Sequence, residues 1–235
     1  MKIALIGYGK MGKAIESIAL SKGHEIVLKI DIQNNQDFTE AALQKADVAI
    51  EFTGPHSAFE NVKKCIAWGV PVVSGSTGWL DQWSEIKDLC EAKNGTLIYS
   101  SNYSIGVNLF FELNKQLAQL MQPYNSYDVS MTEVHHTEKK DAPSGTAISL
   151  AKGVIENSNY TNWTLDQAKE KQIHIGVKRI ADVPGTHTVT YASAVDSIEI
   201  KHTAHNRDGF ALGAVIAAEW IVGKEGVFTM KDVLN

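Results

Sequence analysis

No apolar run in the 235-residue chain approaches the roughly 20 residues that span a bilayer. A transmembrane protein is therefore not expected. The short apolar stretch at the N-terminus runs straight into a glycine motif, which does not suit a secretion signal. Cysteine is scarce. Cys65 and Cys90 both fall in helix-like segments and read as buried, reduced thiols, so no disulfide framework is expected and the compartment expected is the cytoplasm. Basic excess is lacking too: the formal net charge is −5, which argues against general nucleic-acid binding. In such a chain an anionic ligand must be held by a local cationic cluster. Internal repeats and low-complexity tracts are absent, and 44% hydrophobic with 21% charged residues is an ordinary globular balance.

What is present is a regular alternation. Ile3–Ile6, Ile26–Ile30, Val48–Phe52, Val70–Val73 and Leu97–Tyr99 read as buried strands. Helical patterns lie between them, with Ile15, Ile18 and Ala19 on one face, then Phe59, Val62, Cys65 and Ile66, then Trp83, Ile86, Leu89 and Cys90. Gly23 and Gly69 suit helix ends. Strand and helix alternating at this spacing predict an α/β fold with a Rossmann-type, doubly wound parallel sheet.

The pattern changes after Tyr103. An amphipathic helix is expected from about Val107 to Met121, with Leu109, Phe110, Leu113, Leu117 and Leu120 as its apolar face. Later strands alternate (Val129 and Met131; Val189 and Tyr191; Ile198 and Ile200), with a turn at Asp182-Val183-Pro184-Gly185. Residues 156–172 carry no clear pattern. Phe210 to Val222 is apolar almost all round, which predicts a fully buried helix. The second region is expected to be an α+β domain with an open mixed or antiparallel sheet, mainly antiparallel.

Gly7-Tyr8-Gly9-Lys10-Met11-Gly12 is a complete G-x-G-x-x-G between a first strand and a first helix. In a dinucleotide site the first glycine makes the turn, the second lets backbone approach the pyrophosphate, and the third lets helix and strand pack closely. The helix start supplies N–H groups and a positive dipole end. Asp31 ends the second strand, nineteen residues after Gly12, where an acid can bind ribose hydroxyls. On the motif alone, a flavin, another nucleotide-bearing ligand, or a glycine-rich turn without a nucleotide remain alternatives.

The most informative stretch runs from Glu133 to Ala147. His135, His136, Lys139 and Lys140 follow a strand end, and Pro143 precedes Ser144-Gly145-Thr146, where a helix begins. Ser144 is a natural N-cap, and the N–H groups of Gly145 and Thr146 suit a carboxylate. The histidines and Lys139 would supply positive charge. The lysine pair could instead be a solvated loop, and the histidines could be structural or, with Glu133, bind a metal. No metal is expected, because adjacent histidines on a strand point to opposite faces.

Those segments, with Gly75-Ser76-Thr77-Gly78, Asn102-Tyr103-Ser104-Ile105-Gly106-Val107-Asn108 and Val183-Pro184-Gly185-Thr186-His187, resemble the dihydrodipicolinate reductase (4-hydroxy-tetrahydrodipicolinate reductase) family over nearly the whole chain. The resemblance implies an NAD(P)H-dependent oxidoreductase. It would reduce a cyclic dicarboxylated imine to tetrahydrodipicolinate in the diaminopimelate route of lysine biosynthesis. It implies a dinucleotide-binding domain of residues 1–103 and 207–235, and a substrate-binding and oligomerisation domain of residues 104–206. That second domain would join subunits into a homotetramer. By position, His135 resembles the acid/base histidine and Lys139 the catalytic lysine. His136, Ser144, Gly145 and Thr146 resemble substrate-carboxylate binders. The glycine loop with Asp31, Gly75-Ser76-Thr77 and Ser100-Ser101-Asn102-Tyr103 resemble the cofactor-binding residues. Ile32 stands where some members carry an arginine after the ribose-binding acid, so NADH is expected to serve at least as well as NADPH. Another two-domain dehydrogenase, with a catalytic cysteine or a lysine–aspartate–histidine set, and a non-enzymatic NAD sensor are the alternatives.

Overall fold

The computed structural model describes residues 1–206 and 208–235. The expected return of the chain at residue 207 begins at Arg207, which lies outside the described residues. The chain divides into two compact units, Met1–Ile105 with Asp208–Asn235, and Gly106–Arg207. Among the described residues no helix is long and apolar enough to cross a membrane.

The first unit alternates strand and helix in chain order: β1 (Lys2–Ile6), α1 (Lys10–Ser21), β2 (Glu25–Ile30), α2 (Glu40–Leu43), β3 (Val48–Glu51), α3 (Ala58–Ala67), β4 (Val72–Ser74), α4 (Trp83–Ala92) and β5 (Thr96–Tyr99). The strands form a parallel sheet in the order β11-β5-β4-β3-β1-β2, whose last member β11 (Gly226–Phe228) comes from the C-terminal segment. β3 and β4 are buried throughout, as expected of strands covered on both faces. Ile6, Ala49, Val62, Ile66, Val72 and Leu97 pack into one layer; Ile3, Leu5, Ile15, Ile50, Val73 and Ile98 pack into the other. Fully burying each such aliphatic side chain contributes about 1.5–3 kcal/mol. Gly23 and Gly69 end α1 and α3 with φ of 80° and 74°, a conformation that favours glycine.

α7 (Asp208–Ile221) supplies Ala211, Ala214, Val215, Ala218 and Ile221 to the second layer, and α8 (Met230–Leu234) follows β11. The expected all-round burial of the Phe210–Val222 helix is corrected here. Leu212, Glu219 and Val222 are exposed, and Glu219 pairs with Lys22 at 3.1 Å and with His24 at 2.7 Å. Small residues make the buried side: Gly213 leaves room for the Tyr103 carbonyl, which an added Cβ would meet at 1.7 Å.

The second unit comprises α5 (Ile105–Met121), β6 (Asp128–His135), α6 (Gly145–Ile155), β7 (Asn162–Thr164), β8 (Gln172–Arg179), β9 (Gly185–Ala192) and β10 (Ser197–Ala204). Its sheet runs β10-β9-β6-β8-β7. The first two pairings are antiparallel and the other two parallel, so the sheet is mixed, not mainly antiparallel. β7 arises in the stretch where the sequence carries no clear pattern. α5 and α6 cover one face through Phe110, Ala118, Ala147, Leu150, Ala151 and Val154 against Val129, Met131, Ile173, Ile175 and Val189. The buried stripe of α5 is Val107, Phe110, Asn114 and Ala118, while Leu109, Leu113 and Leu120 are exposed. Of the expected apolar face, Phe110 is buried and Leu117 packs partly buried against this core, but Leu109, Leu113 and Leu120 do not. They sit on the other side of the helix because positions three and four apart from Val107 share its face, and theirs do not.

Candidate active site

In the first unit the glycine loop joins β1 to α1. Gly7 has φ of 98°, and a Cβ there would fall 2.2 Å from the Phe52 carbonyl oxygen. A Cβ on Gly12 would fall 2.4 Å from the Gly7 carbonyl oxygen. Both positions therefore exclude larger residues by backbone contact. Gly9 differs, since nothing lies within 4 Å of an added Cβ. The open side of the loop is at Gly9, at the N-terminus of a 12-residue helix. A cavity of about 730 Å3 lies against Gly7, Tyr8, Gly9, Asp31, Phe52 and Thr53. Ile32, also on its wall, is 99% exposed. Asp31 Oδ1 accepts from the Gln33 N–H at 2.7 Å.

The other two loops meet this one through buried groups. Glu51, fully buried, accepts from the Ser74 and Ser76 hydroxyls at 2.7 Å each and from the Thr53 N–H at 2.8 Å. The Ser76 hydroxyl is thus turned inward, whereas Thr77 is exposed. A Cβ at Gly75 would collide with the Phe52 ring at 2.2 Å. Tyr103 is buried with its ring 5.7 Å from that of Phe52, and its hydroxyl donates to the Ser74 carbonyl at 2.7 Å. Its place is behind Phe52, not on the cavity wall. Ser100 Oγ donates to the Asn102 carbonyl at 2.7 Å, and Asn102 Oδ1 accepts from the Ser104 N–H at 2.9 Å, which folds residues 100–104 into a compact turn that includes Ser101.

In the second unit, β6 alternates strictly, and its buried face carries Glu133 and His135. Pairing register adds two residues that sequence spacing did not reveal. His187 of β9 stands opposite Glu133, and Arg179 of β8 is in register with His135. The His135 and His187 rings meet edge to face at 5.0 Å. Burial pushes His187 down to about 4, with positive neighbours adding to the effect, so its imidazole is neutral near pH 7. Burial also lowers His135, opposed by the Glu133 carboxylate. Burial works against ionisation of Glu133, but the Ser144 hydrogen bonds, His135 and Arg179 outweigh it and hold its carboxyl below the usual range.

Ser144 caps α6: its hydroxyl accepts from the Ala147 N–H at 3.1 Å and lies 3.0 Å from His187 Nε2. The Ser144 hydroxyl and His187 Nε2 thus share a hydrogen bond whose donor is set by the tautomer of the ring. Gly145 is open, with nothing within 4 Å of an added Cβ, and the first N–H groups of α6 have no partner within the helix. Lys139 lies in the loop after β6 with Nζ 2.8 Å from Asp141 Oδ1, and His136 is half-buried just past the strand end. The donor atoms of Glu133, His135 and His187 lie within 4.8 Å of one another, a set that could hold a metal ion. Both carboxylate oxygens are nevertheless committed to Arg179 and the Ser144 N–H.

Cys65 is fully buried and burial raises both thiols, so neither resembles an activated nucleophile. Arg179 and His187 were not foreseen as site residues, and Glu133 was weighed only as a metal ligand beside the histidines. The period of two on β6 could have placed Glu133 beside His135; nothing local signals the others.

A six-stranded parallel sheet with a glycine-loop helix start, joined to a mixed-sheet unit with a capped anion-type helix start, defines a Rossmann-type NAD(P)H-binding oxidoreductase. Residues 1–103 match the family model "Dihydrodipicolinate reductase, N-terminus" and residues 106–234 the model "Dihydrodipicolinate reductase, C-terminus". The chain belongs to the dihydrodipicolinate reductase family. It is 51% identical to a 4-hydroxy-tetrahydrodipicolinate reductase of Christiangramia forsetii, over 100% of this chain and 98% of that one. It is 36% identical to one of Methanoregula boonei, with the same two coverages. The fold matches a dipicolinate-bound dihydrodipicolinate reductase from Paenisporosarcina sp. TG-14 with a TM-score of 0.79 at 23% identity, covering 97% of each chain.

Proposed function

We propose that the chain reduces the cyclic dicarboxylated imine of the diaminopimelate route of lysine biosynthesis to tetrahydrodipicolinate, using NADH at least as well as NADPH. The observation that carries this reading is the clustering of His135, the Lys139 loop and the capped start of α6 in one unit of a chain 51% identical to a relative of that name.

The reduced nicotinamide, when bound, supplies the hydride. The residues that would hold it are the Gly7–Gly12 loop and Asp31, with Gly75-Ser76-Thr77 and residues 100–102 towards the reacting end. Phe52 and Tyr103 back these loops. Hydride addition to the conjugated C=N leaves an electron pair on the ring nitrogen, which must gain a proton. His135 in its imidazolium form donates that proton. Its lowered proton affinity makes it a stronger acid once charged, and the approach of a dianionic substrate favours charging it. The Lys139 ammonium, paired with Asp141, turns towards the substrate when it binds. One substrate carboxylate docks on the Gly145 and Thr146 N–H groups, with His136 beside it.

We also infer a homotetramer of 235-residue chains joined through the second unit, whose sheet, among the described residues, carries α5 and α6 on one face. Light scattering on the purified protein reads this directly. The test of the activity is oxidation of reduced nicotinamide coupled to the synthase that makes the imine. Folded protein that turns over neither NADH nor NADPH with that substrate would overturn the reading.

A further inference from the structure

Glu133 shows no surface to solvent, and its carboxylate gathers pieces of chain that are far apart in sequence. Oε2 accepts from the Ser144 N–H at 2.8 Å. Oε1 accepts from both terminal nitrogens of Arg179, at 3.2 Å each. The same guanidinium donates from Nε to the Lys139 carbonyl at 3.3 Å and from a terminal nitrogen to the Asp141 carbonyl at 2.7 Å. Arg179 therefore holds the backbone of the Lys139 loop at two points and ties it to the carboxylate that holds the N-cap of α6. His135 Nδ1, buried and with no hydrogen-bond partner, lies 3.7 Å from Glu133 Oε2.

A buried ion pair is a poor way to gain stability, because desolvation offsets most of its attraction and apolar residues of equal volume serve as well. Fixed geometry is what a five-donor planar fork offers. Residues 136–144 belong to no strand or helix, and beyond the turn bond from the Lys139 N–H to the His136 carbonyl at 3.2 Å it is the Arg179 guanidinium that ties this loop to β8.

We propose that Glu133 and Arg179 are positioning residues for the reduction, fixing the Lys139 loop, the His135 imidazole and the carboxylate-docking start of α6 as one unit. This rests on the roles given above to His135, Lys139 and Thr146. Neither residue touches the substrate; each acts through the groups it holds. The charged and titratable groups facing His135 are Glu133 on its own strand, Lys139 and Asp141 on the loop, Arg179 on β8 and His187 on β9. Only the two carboxylates favour its protonation, and Asp141 is exposed and paired with Lys139.

The experiment compares kcat, KM and the pH profile of kcat/KM for wild type, Arg179→Ala, Arg179→Lys, Glu133→Gln and His135→Ala. Arg179→Ala is expected to lose at least tenfold in kcat and to recover part of it in low-millimolar guanidine. Arg179→Lys is expected to remain impaired, since an ammonium cannot reach both the carboxylate and two carbonyls. Glu133→Gln is expected to move the alkaline limb of kcat/KM to lower pH, because loss of the carboxylate charge weakens proton binding at His135. A merely structural role would lower the melting temperature and leave that limb in place. Folded Arg179→Ala with wild-type kcat, or an unmoved limb in Glu133→Gln, would overturn the inference. Should Glu133→Gln fail to fold, wild-type kcat in Arg179→Lys would overturn it equally. Turnover kept by His135→Ala would overturn the site assignment beneath it, a result distinguishable because only that variant tests the proton donor itself.

Discussion

Lys29 Nζ lies 2.5 Å from Glu16 Oε1 and 5.0 Å from the centre of the Tyr8 ring. Lys10, Lys13 and Lys29 are near in sequence to the glycine loop or Asp31 and could offset an additional phosphate on the ribose. Lys29 already has a carboxylate partner, and Ile32 presents no donor. Facing Asp31, the 2′-phosphate of NADPH would meet a negative charge where NADH offers a hydroxyl. The expected outcome is kcat/KM for NADH equal to or above that for NADPH at saturating imine. An NADPH preference above about tenfold, worth ~1.4 kcal/mol, would show that these lysines outweigh Asp31.

The glycine loop offers a sharper test, because its glycines are small for different reasons. Gly9→Ala adds a methyl to open space at φ −82°. It should fold with an unchanged melting temperature, yet weaken coenzyme binding where the pyrophosphate approaches. Gly12→Ala drives a Cβ against the Gly7 carbonyl oxygen at 2.4 Å, so both stability and coenzyme affinity should fall. Overpacking of this kind costs about 1–3 kcal/mol. Thermal melts and coenzyme titration of the two variants separate these effects.

His135→Ala and Lys139→Ala should each lower kcat by roughly 10²–10⁴-fold, the usual contribution of a general acid. Lys139 is on a loop and its ammonium pairs with exposed Asp141, so its removal should leave the melting temperature nearly unchanged. Wild-type kcat in either variant would remove that residue from the chemistry.

Thr146→Val should raise KM with little change in kcat, because carboxylate docking at the start of α6 acts equally on bound substrate and transition state. A defect confined to kcat would move Thr146 from docking into the proton-transfer step.

Acid should unfold the second unit early. His187 folds with a pKa of about 4 against 6.5 for the free side chain, so the unfolded chain binds the extra proton first. A depressed folded value gives stability that is present above the unfolded pKa and is lost as pH falls through the folded one. The window is therefore pH 6.5 down to about 4, and the loss is up to roughly 3 kcal/mol from this one histidine. His187→Asn should flatten the dependence of melting temperature on pH across that window. An equally steep dependence in the variant would assign the acid loss to other groups.

Local periodicity carried the first unit. Its parallel strands are continuous apolar runs, and the residues of the glycine loop and Asp31 lie within one strand–helix–strand unit, where chain spacing and spatial distance agree. The Ser144 cap was legible for the same reason, since a cap acts over three residues. The second unit was less so. Leu109, Leu113 and Leu120 of α5 share a helical face, yet the core takes the stripe through Phe110 and Asn114, because packing against the sheet, not apolarity alone, chooses the face.

The sequence by itself determined the strand–helix alternation, the glycine turn, the helix start at Ser144 and the placement of Glu133 and His135 on one strand face, all set by steric and hydrogen-bonding rules that operate over a few residues. Only the tertiary structure decided that Arg179 and His187 join them. Their arrival depends on the register of β8 and β9 against β6, which is fixed by the burial of whole strand faces and by the connections between them. A shift of one residue in either pairing would carry that side chain to the opposite face, and in the β8 pairing it would take Arg179 away and leave the buried Glu133 carboxylate without its cation.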